Sequence, residues 1–538
     1  MSIVDRRVVL GGQTRARGII GGARQPLEWV GMVVMGSVAV PVVTTSPTFG
    51  RVVVAAAIVG AAYAAFTPWP GRLAGRSAAA VVTGRIRSRR RRRVEPFFCP
   101  GLDFSVPEAV GRAKVVRAAM PDGAEVAVVR HSNPGQAHAW TVAFEMVGAP
   151  AGMTQDWEFG AAHEAWGRFC ATLARQGSLI RTVQQVMRVV PYDTTDHTRW
   201  VMDRIPALAA TTVRHDVVVR HPGDGGFGLD PQLGASYVEL LDDVKTWCEQ
   251  HRSWVVFRVP VTTDLTLEAR RAGGGEDGEL VVVMREVAAA VARASAYGLA
   301  LRPLYEPRLA GVLRALQDPS WPVDQMAERR LVADVAGPRA VLVPLTFETA
   351  WLPADQSQRR HVVVNALPGG QPDAGPARWW TRTAAVPDDG IEPGRFAPDF
   401  LYPLLCDVSP SVVRTVTVTT DLVPAHLARS RAKRDVTLDT ASAREAATTV
   451  SDGSQDEQLD ASQQRLTDLR AGTGHQGADW AMTVTVAAPS PDALDTAVRQ
   501  VEDAAEASHV TRLRWLDDDP MAGLVASLPL CKAMKVTK

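Results

Sequence analysis

From residue 29 to 50 the chain runs for 22 residues without a charge, and from 52 to 71 for another 20. A helix of about 20 apolar residues crosses the hydrocarbon core of a bilayer, so each run is long enough for one pass. Only residues 44–51 (TTSPTFGR) remain to turn between them, and Pro47 and Gly50 suit a turn. Trp29, Tyr63 and Trp69 fall toward the ends, where amphipathic rings favour the headgroup layer. The pattern predicts a transmembrane helical hairpin with basic flanks over residues 1–95. Residues 1–94 hold fifteen arginines against Asp5 and Glu28, a balance of +13, which leaves the other 444 residues at −12. Arginines flank the hairpin on both sides and only Arg51 lies in its turn. The positive-inside bias then predicts a two-pass protein of the cytoplasmic (inner) membrane with both termini in the cytoplasm. A cleaved signal peptide is the rival reading; the long basic lead-in and the lack of a convincing A-x-A site argue against it.

Arg85, Arg87, Arg89, Arg90, Arg91, Arg92 and Arg93 follow the second run. Such a cluster fits a phosphate backbone or an anionic lipid surface. Single-strand binding would want aromatic rings interleaved with the charges, and none lies between Trp69 and Phe97. The cluster is therefore assigned to membrane-surface binding, with lipid as the partner and direct nucleic-acid contact disfavoured.

Beyond residue 95 the composition is that of a folded globular region. Five cysteines (Cys99, Cys170, Cys248, Cys406, Cys531) form no C-x-x-C pair, which argues against a disulfide scaffold or a zinc ribbon. Strands are expected at 124–130, 140–147, 180–190 and 254–261, with helices at 155–175, 235–251 and 279–297 between and after them. Residues 272–278 (AGGGEDG) read as a loop. Farther on, 341–350 and 362–367 read as a strand pair, 412–420 and 480–487 as half-buried strands, and 491–505 as a helix opened by Pro491 and Asp492. A short strand at 512–516 and a helix ending near 528 close the chain. A grouping of two strands, a helix and a strand occurs twice and predicts an α+β chain: a first ferredoxin-like α/β sandwich lobe over 96–330 and a second over 331–538, both cytoplasmic. Between them in character stands 424–472, polar and alanine-rich and interrupted at 451–454 (SDGS), which predicts a protruding helical arm broken at Gly453.

No catalytic motif stands out. A phosphate-cradling G-x-x-x-x-G-K-[ST] loop needs a lysine after a glycine, and none of Lys114, Lys245, Lys433, Lys532, Lys535 and Lys538 follows one. His163-Glu164 lacks the second imidazole of H-E-x-x-H, and there is no G-x-S-x-G elbow. Asp193, Asp196, His197, His215 and Asp216 could meet around a metal, but their spacing fits no known ligand scheme and a polar loop explains them as well. Residues 223–228 (GDGGFG) read as a tight turn rather than a phosphate loop. Asp517 and Asp519 precede Pro520, where acidic residues cap and open helices. No catalytic residue, cofactor or metal site is assigned, and the chain is read as a non-enzyme.

Several of these parts resemble one family. The lead Arg17-Gly18-Ile19-Ile20-Gly21-Gly22-Ala23-Arg24 and the two-helix hairpin resemble PrgI-like membrane proteins of Gram-positive conjugation systems. The run Leu513-Arg514-Trp515-Leu516-Asp517, then Gly523-Leu524-Val525-Ala526-Ser527-Leu528-Pro529-Leu530, is similar to the end of the non-motor N-terminal region of type IV secretion ATPases, as is the strand–helix from Trp480 through Glu506. Together they resemble an actinobacterial family of conjugation-associated integral membrane proteins that lack the motor. The resemblance implies a non-catalytic scaffold of a type IV secretion-like transfer machine, homo- or hetero-oligomeric, with a separate secretion ATPase as partner. The alternatives are an EccE-like accessory subunit of type VII secretion and a membrane-tethered transferase or hydrolase with an unrecognised site. Because no lysine sits in a phosphate loop, the purified chain is expected to show no ATP turnover above a blank. Steady turnover that disappears on a point substitution in the chain would overturn this.

Overall fold

The computed structural model describes residues 8–10 and, between 106 and 532, all except 108, 133–137, 148–155, 193–235, 238, 242, 245–246, 335–336, 356–359, 366–377, 388–389, 393, 398, 447–453 and 518. Strand β1 (Val8–Leu10) stands apart in sequence. Then follow β2 (Ala113–Ala119), β3 (Glu125–His131), β4 (Ala139–Val147), α1 (Asp156–Leu173), β5 (Thr182–Pro191) and β6 (Glu249–Pro260). Next are α2 (Thr263–Arg271), α3 (Gly275–Ala296), β7 (Ala300–Pro303), α4 (Glu306–Gln317), β8 (Ala327–Asp334), β9 (Gly337–Pro344), β10 (Ala354–Asp355) and β11 (Val362–Asn365). The remainder comprises β12 (Arg378–Val386), β13 (Gly394–Phe396), α5 (Tyr402–Cys406), β14 (Val413–Val423), α6 (Ala425–Ala446) and α7 (Ser454–Asp468). It closes with β15 (Gly477–Ala488), α8 (Pro491–Ala507), β16 (Arg514–Trp515) and α9 (Pro520–Ala526).

Twelve strands form one sheet in the order β10-β11-β12-β15-β14-β5-β6-β4-β3-β2, with β16 also beside β12 and β7 also beside β4. Every pairing in it is antiparallel. Two runs of the chain have the same topology. In β4-α1-β5-β6-α3-β7 and in β12-α5-β14-β15-α8-β16, the four strands lie across the sheet as 4-1-3-2. In each, the outer edge of the first strand is shared by two partners: β3 and β7 divide β4, while β11 and β16 divide β12.

The expected fold class, two sandwich lobes behind a transmembrane hairpin with a protruding arm, is corrected on three counts. The lobes are not separate, because β5 pairs with β14 from Thr182↔Asp421 to Val189↔Arg414 and makes one sheet of both halves. The two-pass membrane placement is corrected as well: no helix among the described residues is long and apolar enough to cross a membrane. The longest described helices fail for a plain reason, since α3 carries Glu279, Arg285, Glu286 and Arg293 and α6 is charged throughout. The runs at 29–50 and 52–71 lie outside the described residues. The arm, finally, is two helices packed on each other, described below. The expected strand pair 341–350 with 362–367 is also redistributed, since β9 pairs with β8 while β11 joins the large sheet.

Both faces of the sheet are covered. On one face Phe144, Phe257, Val183 and Val255 pack with Phe169 and Leu173 of α1 and Val282, Val283 and Val287 of α3. On the same face farther along, Val416, Val484 and Val486 pack with Leu494, Val498 and Val501 of α8. That helix has the spacing of an amphipathic surface helix, and Ser490 caps it by accepting from Ala493 N–H at 3.2 Å. The opposite face carries α4, the segment 345–352, α9 and the chain to Cys531 over Val186, Trp254 and Val256. Alternation puts Thr415, Thr417, Thr383 and Thr485 of the second half on this side, all buried. A Cβ on Gly523 of α9 would come within 2.9 Å of Thr383 Cβ, so glycine lets the helix lie directly on the threonines.

One glutamine ties the C-terminal segment to the first half. Gln184, fully buried on β5, donates from Nε2 to Ala526 O at 3.2 Å and accepts at Oε1 from Cys531 N–H at 2.8 Å. Thr417 Oγ1 adds a bond to Ser527 O at 3.3 Å. Gln184→Ala strands a buried carbonyl and a buried N–H, and is expected to cost about 2–4 kcal/mol in urea unfolding. A loss below about 1 kcal/mol would show that the segment is held by apolar packing alone.

Candidate functional site

The connection between β14 and β15 is not a turn but a helical hairpin, α6 and α7, inserted where two antiparallel neighbours of the sheet meet. Its base is built from small residues. Val423, Ala428, Ala432 and Leu469 form a buried cluster with Leu466 against it. Gly477 opens β15 because any Cβ there would collide with Ala428 Cβ. Ala425 N–H donates to Gln476 Oε1 at 2.7 Å, Arg429 Nε to Leu469 O at 2.6 Å, and Arg431 Nη1 to Asp479 Oδ2 at 2.8 Å.

Above the base the two helices run antiparallel, Arg429 meeting Leu469 and Asp435 meeting Arg465 at 3.4 Å. Their seam is made of Ala432, Ala461, Ser462 and Asp439, all buried. The expected arm, polar on most faces, is thus corrected: above a base that includes Leu466 and Leu469, the two helices bury alanine, serine and Asp439 between them. Burial pushes the Asp435 carboxyl above its ordinary range, Arg465 opposes this and Asp439 adds to it. α7 also touches β1 and β13. The exposed surface is charged in blocks, with Arg431, Lys433 and Arg434 on α6 near the base and Asp456, Glu457 and Asp460 on α7 toward the far end.

The residues singled out from the sequence fare differently. Arg85, Arg87 and Arg89 to Arg93 lie outside the described residues, as do Asp193, Asp196, His197, His215, Asp216 and 223–228. Asp517 is a structural partner: it accepts from Arg382 Nε at 3.1 Å and Nη2 at 3.0 Å, while Arg382 stacks 4.5 Å above the Trp515 ring. Asp519 caps α9 by accepting from Ala522 N–H at 3.4 Å. Glu164 pairs with Arg168 one turn along α1. Among the described residues no group of three or more His, Cys, Asp or Glu side chains could hold a metal ion.

A second polar site has no counterpart in any sequence motif. Register places Val129, Thr141, Arg258, Thr182 and Asp421 in one row across β3, β4, β6, β5 and β14, all on the face that carries α9. His131, two residues from Val129, shares that face and its Nε2 lies 3.0 Å from Thr141 Oγ1. Thr182 Oγ1 donates to Asp421 Oδ1 at 2.7 Å. Cys531 arrives over the row with φ 51° and an Sγ contact to Val256 O at 3.7 Å, delivering Lys532 beside Arg258. Burial, then Lys532 and Arg258, drive the His131 imidazole down to about 3. Burial and Arg258 hold the Lys532 ammonium down to about 8, with the Cys531 thiol opposing; burial pushes that thiol up to about 12. Five strands and the C-terminal end contribute, so no local spacing could have announced the site. No family model matches the chain, and no curated protein matches it either.

The His131 environment fixes a pH dependence. In the folded chain the imidazole binds its proton only near pH 3, whereas the unfolded chain binds it near 6.5. Between those values the unfolded state holds more protons, so stability falls as pH falls from about 6.5 toward 3. At about 1.4 kcal/mol per unit, the wild type is expected to lose about 3 kcal/mol more than His131→Gln between pH 7 and 4.5, measured by urea unfolding at each pH. Equal losses would show that His131 charges without cost.

Proposed function

We propose that this chain is a non-catalytic scaffold subunit of a type IV secretion-like conjugative transfer apparatus, and that it docks a separate ATPase through the α6–α7 hairpin. The resemblance of 480–506 and 513–530 to the non-motor region of secretion ATPases suggests the machine. The observation that carries the docking role is the hairpin itself: a pair of helices inserted at a β-strand connection, closed by a small-residue seam, with blocks of opposite charge on its outer surface. Nothing in the sheet requires so long a connection, because β14 and β15 are direct neighbours whose register ends at Val423↔Gly477. Antiparallel neighbours close with as few as two residues. Rigid scaffolds carry interaction elements on such connections.

Replacing 441–459 by a short Gly/Ser linker spares Asp435, Asp439, Ser462 and Arg465, and with them the seam near the base. The shortened chain is expected to keep its unfolding midpoint within a few degrees while losing most co-purification with a secretion ATPase of its host. Unimpaired co-purification of a folded variant would remove the hairpin from the interface, and loss of the fold would make it part of the core.

A further inference from the structure

We propose that Arg258 and Lys532, with His131 behind them, form a binding site for a phosphate group, either the free ion or a phosphate ester. This goes beyond the scaffold reading and does not depend on it. Arg258 is fixed by two strand registers at once, opposite Thr141 on β4 and opposite Thr182 on β5. Lys532 is fixed by its neighbour, because Cys531 is tied to Gln184 through its N–H and to Val256 O through its sulfur. Both cations are half-buried, and neither has an ion pair or side-chain hydrogen bond among the described residues. The acid in the same row, Asp421, lies two strands from Arg258 and accepts from Thr182 Oγ1.

Two like charges brought together out of water without a counter-charge oppose folding, and an anion between them reverses the sign of that interaction. The third component is His131. It is 5% exposed, its Nε2 is engaged by Thr141, and its Nδ1 has no hydrogen-bond partner among the described residues. A buried polar atom without a partner is rare and costly. The Thr141 hydroxyl lies between Nε2 and Val129 O, to which it donates at 3.4 Å, so Thr141 leaves Nδ1 as the orphan of the ring. A guanidinium and an ammonium suit an oxyanion with several acceptor oxygens, which favours phosphate over a halide.

The test titrates the full chain with inorganic phosphate, and separately with a nucleoside monophosphate, by calorimetry at constant ionic strength with chloride as the reference. Binding is expected for the wild type and at least tenfold weaker in Arg258→Gln and in Lys532→Met, with Arg499→Gln on the exposed face of α8 as an unaffected control. Tighter binding of the monophosphate than of phosphate assigns an ester, and the reverse assigns the free ion. A second measurement needs no variant: in protein carrying carbon-13 lysine, the Lys532 titration should move from about 8 upward toward the ordinary lysine value when phosphate is present. No phosphate binding above chloride, wild-type affinity in either variant, or a Lys532 titration indifferent to phosphate would each overturn the proposal.

Discussion

The pairing of β5 with β14 is the interaction on which the rest of the molecule depends. It is one edge-to-edge junction of eight residue pairs, from Asp421↔Thr182 to Arg414↔Val189. It converts two βαββαβ runs into one sheet and leaves neither run with a free second strand. Two arginines are buried at this junction. Arg188 donates to Thr415 Oγ1 at 2.9 Å and to Ala315 O of α4 at 3.2 Å, and burial lowers it to about 10, with Asp318 opposing. It therefore stays charged at neutral pH and relies on its partners. Arg414 is fully buried and donates to the carbonyls of Leu404, Leu405 and Val412 and to Glu249. Isolated buried charge is expensive, so arginines whose donors are spent on both halves make separation of the halves costlier than the ladder bonds alone.

Those arginines also explain what the sequence hides. The strand at β14 is legible because VRTVTVTTDLV alternates β-branched residues, and α8 is legible because Ser490 and Pro491 open a regular apolar stripe. Helix α4 is not. Its sequence EPRLAGVLRALQ counts Arg308 and Arg314 as solvent residues, yet both are buried. Arg308 reaches Glu145 at 3.2 Å, and Arg314 reaches Glu328 at 2.7 Å and stacks 4.7 Å above the Trp321 ring. A hydropathy pattern cannot see a charge that will find its partner on another element. The same holds for the α6–α7 seam, where Asp439 and Ser462 sit at buried positions that an apolar template would leave unmatched.

Register is the other thing that local spacing cannot carry. Thr182 and Asp421 are adjacent in space and 239 residues apart in sequence. The groups β3 and β7 share one edge of β4, and β11 and β16 one edge of β12, so each first strand has three neighbours. Such a division follows from strand lengths that become visible only in the assembled sheet. The polar row around Arg258 depends on this assembly entirely, since it draws on five strands and on the end of the chain.

The C-terminal segment links these features. β16 completes the second run by pairing with β12, α9 then lies on the threonine face, and Cys531 crosses to Gln184 on the first half. Whatever loosens that segment loosens the junction and moves Lys532 away from Arg258 at the same time. Conversely, an anion held between those cations binds only the docked arrangement. It stabilises the arrangement by mass action, about 2.7 kcal/mol at a hundredfold excess over the dissociation constant. The two halves of the sheet are thereby coupled to ligand through a few residues: Gln184 and Cys531, which place the lysine, and Arg258, which makes its position unfavourable until an anion arrives.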